Sequence, residues 1–250
     1  MSETSSYGYR TLPASRKRRL VQNHFELIAR RYDLADALLS FGLHFLWRRR
    51  ALRRLQLKPG ERVLDLCSGT GDFAILAARA VGPTGRVLAV DFSGAMILVG
   101  QLKAARAGVS DRLSWVQTDA EQMGLVPDCF DALLVGYGIR NFVSLERGLR
   151  DILRVLKPGG RFLAMEFSIP VTAWIRFLYR HYSFRVLPPA GRLICGTSAP
   201  FQYLAESVQV FPDPERISLQ LTELGFEGVG FERMHNGLAV LYTATKANDG

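Results

Sequence analysis

The sequence predicts an α/β fold: a mostly parallel sheet covered by helices on both faces, closed by a C-terminal antiparallel hairpin and preceded by a helical N-terminal lid. Three observations carry this. Short apolar runs alternate with helix-period segments between residues 62 and 155. A glycine loop, Cys67-Ser-Gly-Thr-Gly71, joins the first such run to the first such helix. Asn236-Gly237 separates the last two runs, a dipeptide suited to a hairpin turn. At 250 residues, 48% of them apolar, the chain can bury a substantial core as one domain with elaborations.

Taken in order, residues 16–56 read as helices with breaks near Asp33 and Phe41-Gly42. Strands are expected near 62–66, 86–91, 113–118, 130–136 and 160–167, and helices near 72–81, 94–107 and 144–155. Lys157-Pro-Gly-Gly160 reads as the turn that stops the last of these helices. Such alternation gives a parallel sheet with right-handed crossovers. Residues 168–211 read as an irregular insertion rich in aromatics, including Trp174, Phe177, Tyr179, Tyr182 and Phe184. A helix near 214–224 and strands near 227–234 and 237–245 complete the chain. The expected organisation is a basic helical lid over 1–58 and a main domain over 59–250, with 168–211 inserted.

The stretch Val63-Leu-Asp-Leu-Cys-Ser-Gly-Thr-Gly-Asp72 holds the strongest functional signal. Gly69 and Gly71 permit a tight strand-to-helix turn where main chain approaches a ligand. Asp65 ends the strand, where it can face a cation or a polar group. Asp91 follows the loop by about twenty residues, a spacing that suits a carboxylate accepting from both ribose hydroxyls. Gly69, Gly71 and Ala74 also satisfy the Rossmann-like G-x-G-x-x-A fingerprint, so NAD is one reading and tight packing alone is another. The acids Asp65 and Asp72 around the loop disfavour a pyrophosphate and favour a sulfonium or ammonium. S-adenosylmethionine is the better ligand. Asp119 and Gly136 fall at the ends of later strands, on the same side of the sheet.

Residues 1–58 contain thirteen Lys/Arg against four Asp/Glu, which accounts for the whole net charge of +9. The clusters Arg16-Lys-Arg-Arg19, Arg48-Arg-Arg50 and Arg53-Arg54 flank the apolar stretch Leu38–Trp47. That pattern suits an anionic membrane surface. A solvated helical face over a core-packing stripe is the plainer reading, and the aromatics do not form a nucleic-acid stacking platform. Cys67, Cys129 and Cys195 are scattered and suggest neither disulfides nor a zinc site. No apolar run is long enough to span a bilayer, and the N-terminus does not read as a secretory signal. A cytoplasmic protein, peripherally associated with the inner face of the membrane, is expected.

Tyr32-Asp33, Ser40-Phe-Gly-Leu-His44 with Trp47, Gly138-Ile-Arg-Asn141, Leu156-Lys-Pro-Gly-Gly160, Glu166-Phe-Ser168 and Tyr203-Leu-Ala-Glu-Ser207 extend the pattern beyond the loop. Together they resemble the ubiquinone/menaquinone biosynthesis C-methyltransferase family, within the class I S-adenosylmethionine-dependent methyltransferases, from about Gly8 to Lys246. The resemblance implies methylation of a ring carbon of a prenylated quinol. It implies that Thr70, Asp91, Asp119 and Ala120 contact the cofactor, alongside Asp65, Gly69, Gly71 and Gly136 of the same crevice. Asp119 would accept from the adenine amino group; its alternative is a helix N-cap. Many members have Ser where this chain has Gly136. Arg140 would stabilise the quinolate, with Asn141 and Tyr32 orienting ring oxygens or water. The alternatives are an ion pair for Arg140 and simple packing for Tyr32. His44 is a secondary candidate, whereas His24, His181 and His235 show no partner pattern that marks a base. The sulfonium methyl is already electrophilic, so no metal is expected. The aromatics of 168–211 would complete an apolar tunnel, or else form only a satellite core or a dimer contact. A homodimer or membership of a quinone-synthesis complex stays open.

Overall fold

The computed structural model describes residues 3–248; the side chains of Leu38 and Leu39, part of the apolar 38–47 stretch, lie outside that description. The chain opens with a small hairpin, β1 (Thr4–Tyr7) and β2 (Arg10–Pro13), which the sequence did not signal. Then come α1 (Ala14–Ile28), a 3-10 turn over Ala29–Arg31, α2 (Tyr32–Leu39) and α3 (Leu43–Leu55). The first break, expected near Asp33, falls at the 3-10 turn just before Tyr32. The second falls at Gly42, whose φ of 73° lies in the left-handed region that glycine tolerates.

The main sheet is built from β3 (Arg62–Leu66), α4 (Asp72–Val81), β4 (Arg86–Asp91), α5 (Gly94–Ala107), β5 (Leu113–Gln117), β6 (Phe130–Gly136), α6 (Leu145–Val155) and β7 (Leu156–Phe167). After β7 come α7 (Ala173–His181), a π-turn over Tyr182–Val186, α8 (Leu187–Cys195), α9 (Ala199–Val210) and α10 (Pro214–Glu223). The hairpin of β8 (Phe226–Met234) and β9 (Ala239–Lys246) ends the fold. The strand order is β5-β4-β3-β6-β7-β9-β8, parallel except at β9, which runs antiparallel to both its neighbours. The order reverses between β3 and β6, so the crevice beyond their carboxyl ends is the natural ligand position.

Two points differ from expectation. Residues 168–211 are mostly helical rather than irregular. Pro188-Pro189 and Pro200 occupy the first turns of α8 and α9, where a missing N–H costs nothing. Lys157-Pro-Gly-Gly160 does end α6, but the motif is absorbed into β7 as an irregularity. Phe130 pairs with Leu156 while Ala132 pairs with Arg161, so the extra residues bulge outward.

Alternating side chains of the central strands feed two cores. Val63, Leu134, Leu163 and Leu241 pack on one face with α3 and α4, whereas Leu64, Leu133, Phe162 and Val240 pack on the other with α6 and α10. A third cluster joins the N-terminal helices to the inserted ones through Ile28, Ala35, Leu187 and Phe201. That cluster puts α1, α2, α8 and α9 over the carboxyl ends of the strands. Among the described residues, no helix is long and apolar enough to cross a membrane.

Four of the thirteen cations of residues 1–58 are ion-paired among the described residues. Arg48 is buried between Asp36 (2.9 Å) and Asp72 (2.8 Å). Arg50 and Arg54 both engage Glu232, at 2.6 and 2.7 Å, and Arg18 pairs with Asp119 at 2.9 Å.

Candidate active site

Two cavities lie side by side beyond the strand ends. The first, of about 400 Å³, is lined by strand-end and loop residues, among them Gly69, Asp91, Asp119, Ala120, Gly136 and Asn141. Helix α1 covers it with Arg18, Val21, Gln22 and Phe25. The second, of about 380 Å³, is walled by His24, Ile28, Phe167, Leu178, Tyr203 and Arg140 among others. Phe25 and Tyr32 line both. Adjacent residues of one 3-10 turn also divide between them, Arg140 facing the second cavity and Asn141 the first.

Asp91 ends β4 and is 5% exposed. Its Oδ2 accepts from the Gly69 N–H at 2.8 Å and its Oδ1 from the Ser93 N–H at 2.9 Å. Each oxygen keeps a second lone pair for a ligand hydroxyl. Burial pushes the carboxyl up to about 6, with those N–H groups opposing the shift. Asp119 caps no helix: its Oδ1 accepts from Glu121 N at 2.9 Å within a turn, and its Oδ2 faces Arg18. Gly136 has no room for a side chain, because a Cβ there would sit 2.5 Å from the Phe73 ring. The residues on either side of the crevice bend sharply. Cys67 and Tyr137, at the ends of β3 and β6, adopt φ of 58° and 60°. Left-handed backbone at two non-glycine residues stores strain of order 1–3 kcal/mol each, and here it brings both turns against the first cavity.

Asp65, Thr70 and Gly71 stand behind the loop rather than among the residues lining either cavity. Thr70 donates to Asp33 Oδ1 at 2.5 Å, and Lys103 bridges Asp33 (2.5 Å), Thr70 (3.1 Å) and Asp72 (2.6 Å). This cluster fastens α2 to the glycine loop. Gly71 has φ 78° and starts α4; a Cβ there would lie 2.5 Å from Trp115. Asp65 is 1% exposed, and burial holds its pKa well above the usual carboxylate range, with the Ala74 backbone N–H working in the opposite direction. The carboxylates of Asp91 and Asp119 on the wall of the first cavity suit ligand hydroxyl and amino groups and disfavour a pyrophosphate beside them.

Arg140 makes an ion pair. Its Nη1 lies 2.8 Å from Glu166 Oε2, with side-chain exposures of 6% and 0%, and it also donates to the Tyr137 carbonyl at 2.6 Å. Burial works against the Arg140 charge, but Glu166, Tyr203 and Tyr32 together more than offset it and keep the guanidinium protonated. Asn141 donates to the same carbonyl at 3.4 Å and accepts from the Tyr203 hydroxyl at 3.1 Å. Burial pushes the Tyr32 hydroxyl up, so it stays a phenol. His44 is buried, lies 2.5 Å from Ser40 Oγ through Nδ1, and lines neither cavity.

Several contributors escaped sequence reasoning. Glu166 stands 26 residues from Arg140, and only the pairing of β6 with β7 brings it near. Arg18, Gln22 and Phe25 reach the first cavity only because α1 docks there. Glu166 and Tyr203 do lie in segments quoted above for their resemblance, which was the available signal.

A doubly wound sheet ending in this antiparallel pair, with an acidic crevice at its switch point, defines a class I S-adenosylmethionine-dependent methyltransferase fold. Among solved structures, a SAM-dependent methyltransferase from Aquifex aeolicus superposes with a TM-score of 0.59 at 16% identity, covering 79% of this chain and 88% of that one. Phosphoethanolamine N-methyltransferase 2 of Haemonchus contortus, solved with S-adenosyl-L-methionine, superposes with a TM-score of 0.60 at 18% identity, covering 81% and 52%. The profile of the ubiE/COQ5 methyltransferase family matches residues 13–246, and the chain belongs to that family. It is 39% identical over 243 residues to the ubiquinone/menaquinone biosynthesis C-methyltransferase UbiE of Pseudomonas aeruginosa, covering 97% of this chain and 95% of that protein. The same-named protein of Haemophilus ducreyi is 36% identical over 245 residues, with 98% and 95% covered.

Proposed function

We propose that this protein transfers a methyl group from S-adenosylmethionine to a ring carbon of a prenylated quinol, demethylmenaquinol foremost, in menaquinone or ubiquinone biosynthesis. The carrying observation is the pair of cavities: a polar crevice suited to the donor meets an apolar one suited to the acceptor at the shared wall of Tyr32 and Phe25. Bound in the first, S-adenosylmethionine supplies an electrophilic methyl. The protein's own residues do the positioning. Asp91 accepts from the ribose hydroxyls, the Gly69 turn admits main chain close to the donor, and Asp119 with Ala120 borders the adenine. Asp65, Thr70 and Gly71 shape the loop from behind. Arg140 presents a permanent positive charge to the apolar cavity, where a developing quinolate oxygen needs one. Glu166 fixes that guanidinium, Tyr32 on the shared wall orients the ring, and Asn141, on the donor side, accepts from the Tyr203 hydroxyl of the acceptor wall.

The acceptor's tail has a route to lipid. Phe41, Trp174, Phe177 and Leu178 are between 55% and 77% exposed, and Phe41 and Leu178 also line the second cavity. Trp174, Phe177 and Leu178 share one face of α7 by their i, i+3, i+4 spacing. This rim, with Arg180 and Arg185 nearby in sequence, would rest on the anionic inner face of the membrane. It supplies the membrane contact better than α3, whose arginines are largely paired.

The test incubates purified protein with methyl-labelled S-adenosylmethionine and a short-chain demethylmenaquinol or benzoquinol. Label on the ring carbon supports the reading. Label on oxygen or on another acceptor class, or donor binding without turnover, overturns it.

A further inference from the structure

We propose that His24, set in place by Tyr7, is the base that takes the acceptor's hydroxyl proton. This rests on the C-methylation reading above and adds the group that reading lacks. His24 lies on α1, 8% exposed, and lines the apolar cavity together with Tyr32, Arg140 and Tyr203. Its Nε2 is 2.5 Å from the Tyr7 hydroxyl. The two rings belong to a stack: Tyr7 and Tyr203 centroids are 4.5 Å apart, and His24 and Tyr203 are 5.7 Å apart. Tyr203 in turn donates to Asn141 at 3.1 Å. Packed contacts thus lead from the imidazole to the turn that carries Arg140 and Asn141.

The other titratable groups lining this cavity suit the task poorly. Burial pushes the Tyr32, Tyr179, Tyr182 and Tyr203 hydroxyls up, so they hold their protons. Arg140 is a cation, and Asp36 is bound to Arg48 at 2.9 Å. His24 is the neutral nitrogen base of the set. Burial lowers its pKa below the ordinary 6.5, so at neutral pH it is free to accept a proton and, once charged, is pressed to release it. The charged groups around it lie beyond its ring neighbours. Arg10 sits 5.3 Å from the Tyr7 ring centre, Glu206 accepts from Tyr9 N at 3.4 Å, and the Arg140–Glu166 pair lies past Tyr203.

In the tautomer this role requires, Nε2–H donates to Tyr7 Oη and Nδ1 keeps its lone pair. Nδ1 has no hydrogen-bond partner among the described residues. The quinol O–H bond breaks, the proton joins Nδ1, and the electron pair stays on oxygen, beside Arg140. The ring carbon then forms its bond to the methyl as the methyl–sulfur bond breaks with its electron pair passing to sulfur. Rearomatisation releases the ring C–H proton while the imidazolium returns its own to oxygen. The net products are methylated quinol, S-adenosylhomocysteine and one proton.

The test compares wild type, His24→Gln, Tyr7→Phe and Asp36→Asn on a soluble short-chain demethylmenaquinol at saturating S-adenosylmethionine. Wild-type kcat should fall on the acid side with a midpoint below 6.5. His24→Gln should lose about 100-fold in kcat and abolish that limb, with its affinity for S-adenosylhomocysteine unchanged. Tyr7→Phe removes the acceptor that favours the imidazolium, so the limb should move to lower pH. A His24→Gln enzyme with near wild-type kcat and an intact limb overturns the proposal. So does loss of the limb in Asp36→Asn but not in His24→Gln, or a wild-type profile with no acid limb. If His24→Gln fails to bind S-adenosylhomocysteine, the Tyr7→Phe profile decides, and an unmoved limb there overturns the assignment. Wild type that methylates no quinol carbon refutes the underlying function instead.

Discussion

With Asp91 on the donor's ribose, donor affinity should depend on pH in a calculable way. The Asp91 carboxyl is displaced from 3.8 to about 6 because it is buried, and the backbone N–H groups of Ser93, Gly69 and Phe92 oppose the shift without cancelling it. If only the carboxylate accepts from both ribose hydroxyls, affinity at pH 5 should be about tenfold below that at pH 7, and should level off above about pH 7. The stability linkage has the opposite sign. A raised folded pKa means that this group's contribution is fully present below 3.8 and is lost as pH rises through about 6. The displacement of about two units corresponds to about 3 kcal/mol, so unliganded protein gains stability from Asp91 on acidification while ligand binding weakens. Calorimetric titration with S-adenosylhomocysteine from pH 5 to 8, paired with urea unfolding of wild type and Asp91→Asn, measures both. The Asp91→Asn variant isolates this residue from Asp65 and Asp36, which burial also raises. An affinity that stays flat across that range in wild type refutes the assignment of Asp91 to the ribose.

Glu166→Ala leaves the Arg140 guanidinium and the Arg140 and Phe167 N–H groups without their buried partner. It should cost about 3–5 kcal/mol in urea unfolding. Lys103→Met leaves Asp33 without its ion-pair partner and Asp72 with Arg48 alone, so amide exchange across α2 should accelerate while the central strands stay protected; unchanged exchange in α2 would show the cluster is not a fastening. Trp174→Glu with Phe177→Glu should abolish co-sedimentation with anionic vesicles at low salt and leave S-adenosylhomocysteine affinity intact. Retained vesicle binding would place the membrane contact elsewhere.

The parts of the fold that were legible are those where local pattern and tertiary role agree. The strands β3, β4 and β6 are short apolar runs because both faces of the sheet are covered, and Gly69 and Gly71 mark a turn that only flexible backbone makes. The β1–β2 hairpin was illegible because Thr4–Pro13 carries no alternation, and its register depends on docking: Ser5 bonds to the Val143 carbonyl and Tyr7 stacks on Tyr203. The helices of 168–211 were hidden by prolines whose meaning depends on their position within a turn. In the site, Asp91 could be read from its spacing to the loop, since β3 and β4 are neighbours and chain distance maps onto geometry. Arg140's partner could not. Nothing in the order of residues says that Glu166, on the next strand, will be the acid that meets it. His24 looked partnerless in sequence for the same reason, since Tyr7 and Tyr203 reach it from two other elements.

Helix α1 ties these observations together. Arg18, Val21, Gln22 and Phe25 follow one stripe of its surface and cover the donor crevice, while His24 and Ile28, one helical turn apart, follow the adjacent stripe and wall the acceptor cavity. Phe25 belongs to both. A helix presents two such stripes about 100° or less apart, so one element can seal two neighbouring cavities only if they meet along its axis, as these do at Phe25 and Tyr32. The polar stripe holds to charged and backbone acceptors, Arg18 to Asp119 and Gln22 to the Phe92 carbonyl at 3.0 Å. The other stripe holds by burial and ring stacking. Substitutions that loosen α1 at Arg18 or Gln22 should therefore open the acceptor wall along with the donor crevice. That coupling gives the N-terminal segment a reason to be folded onto the sheet, and it places a candidate base, a cation and the donor crevice under one lid.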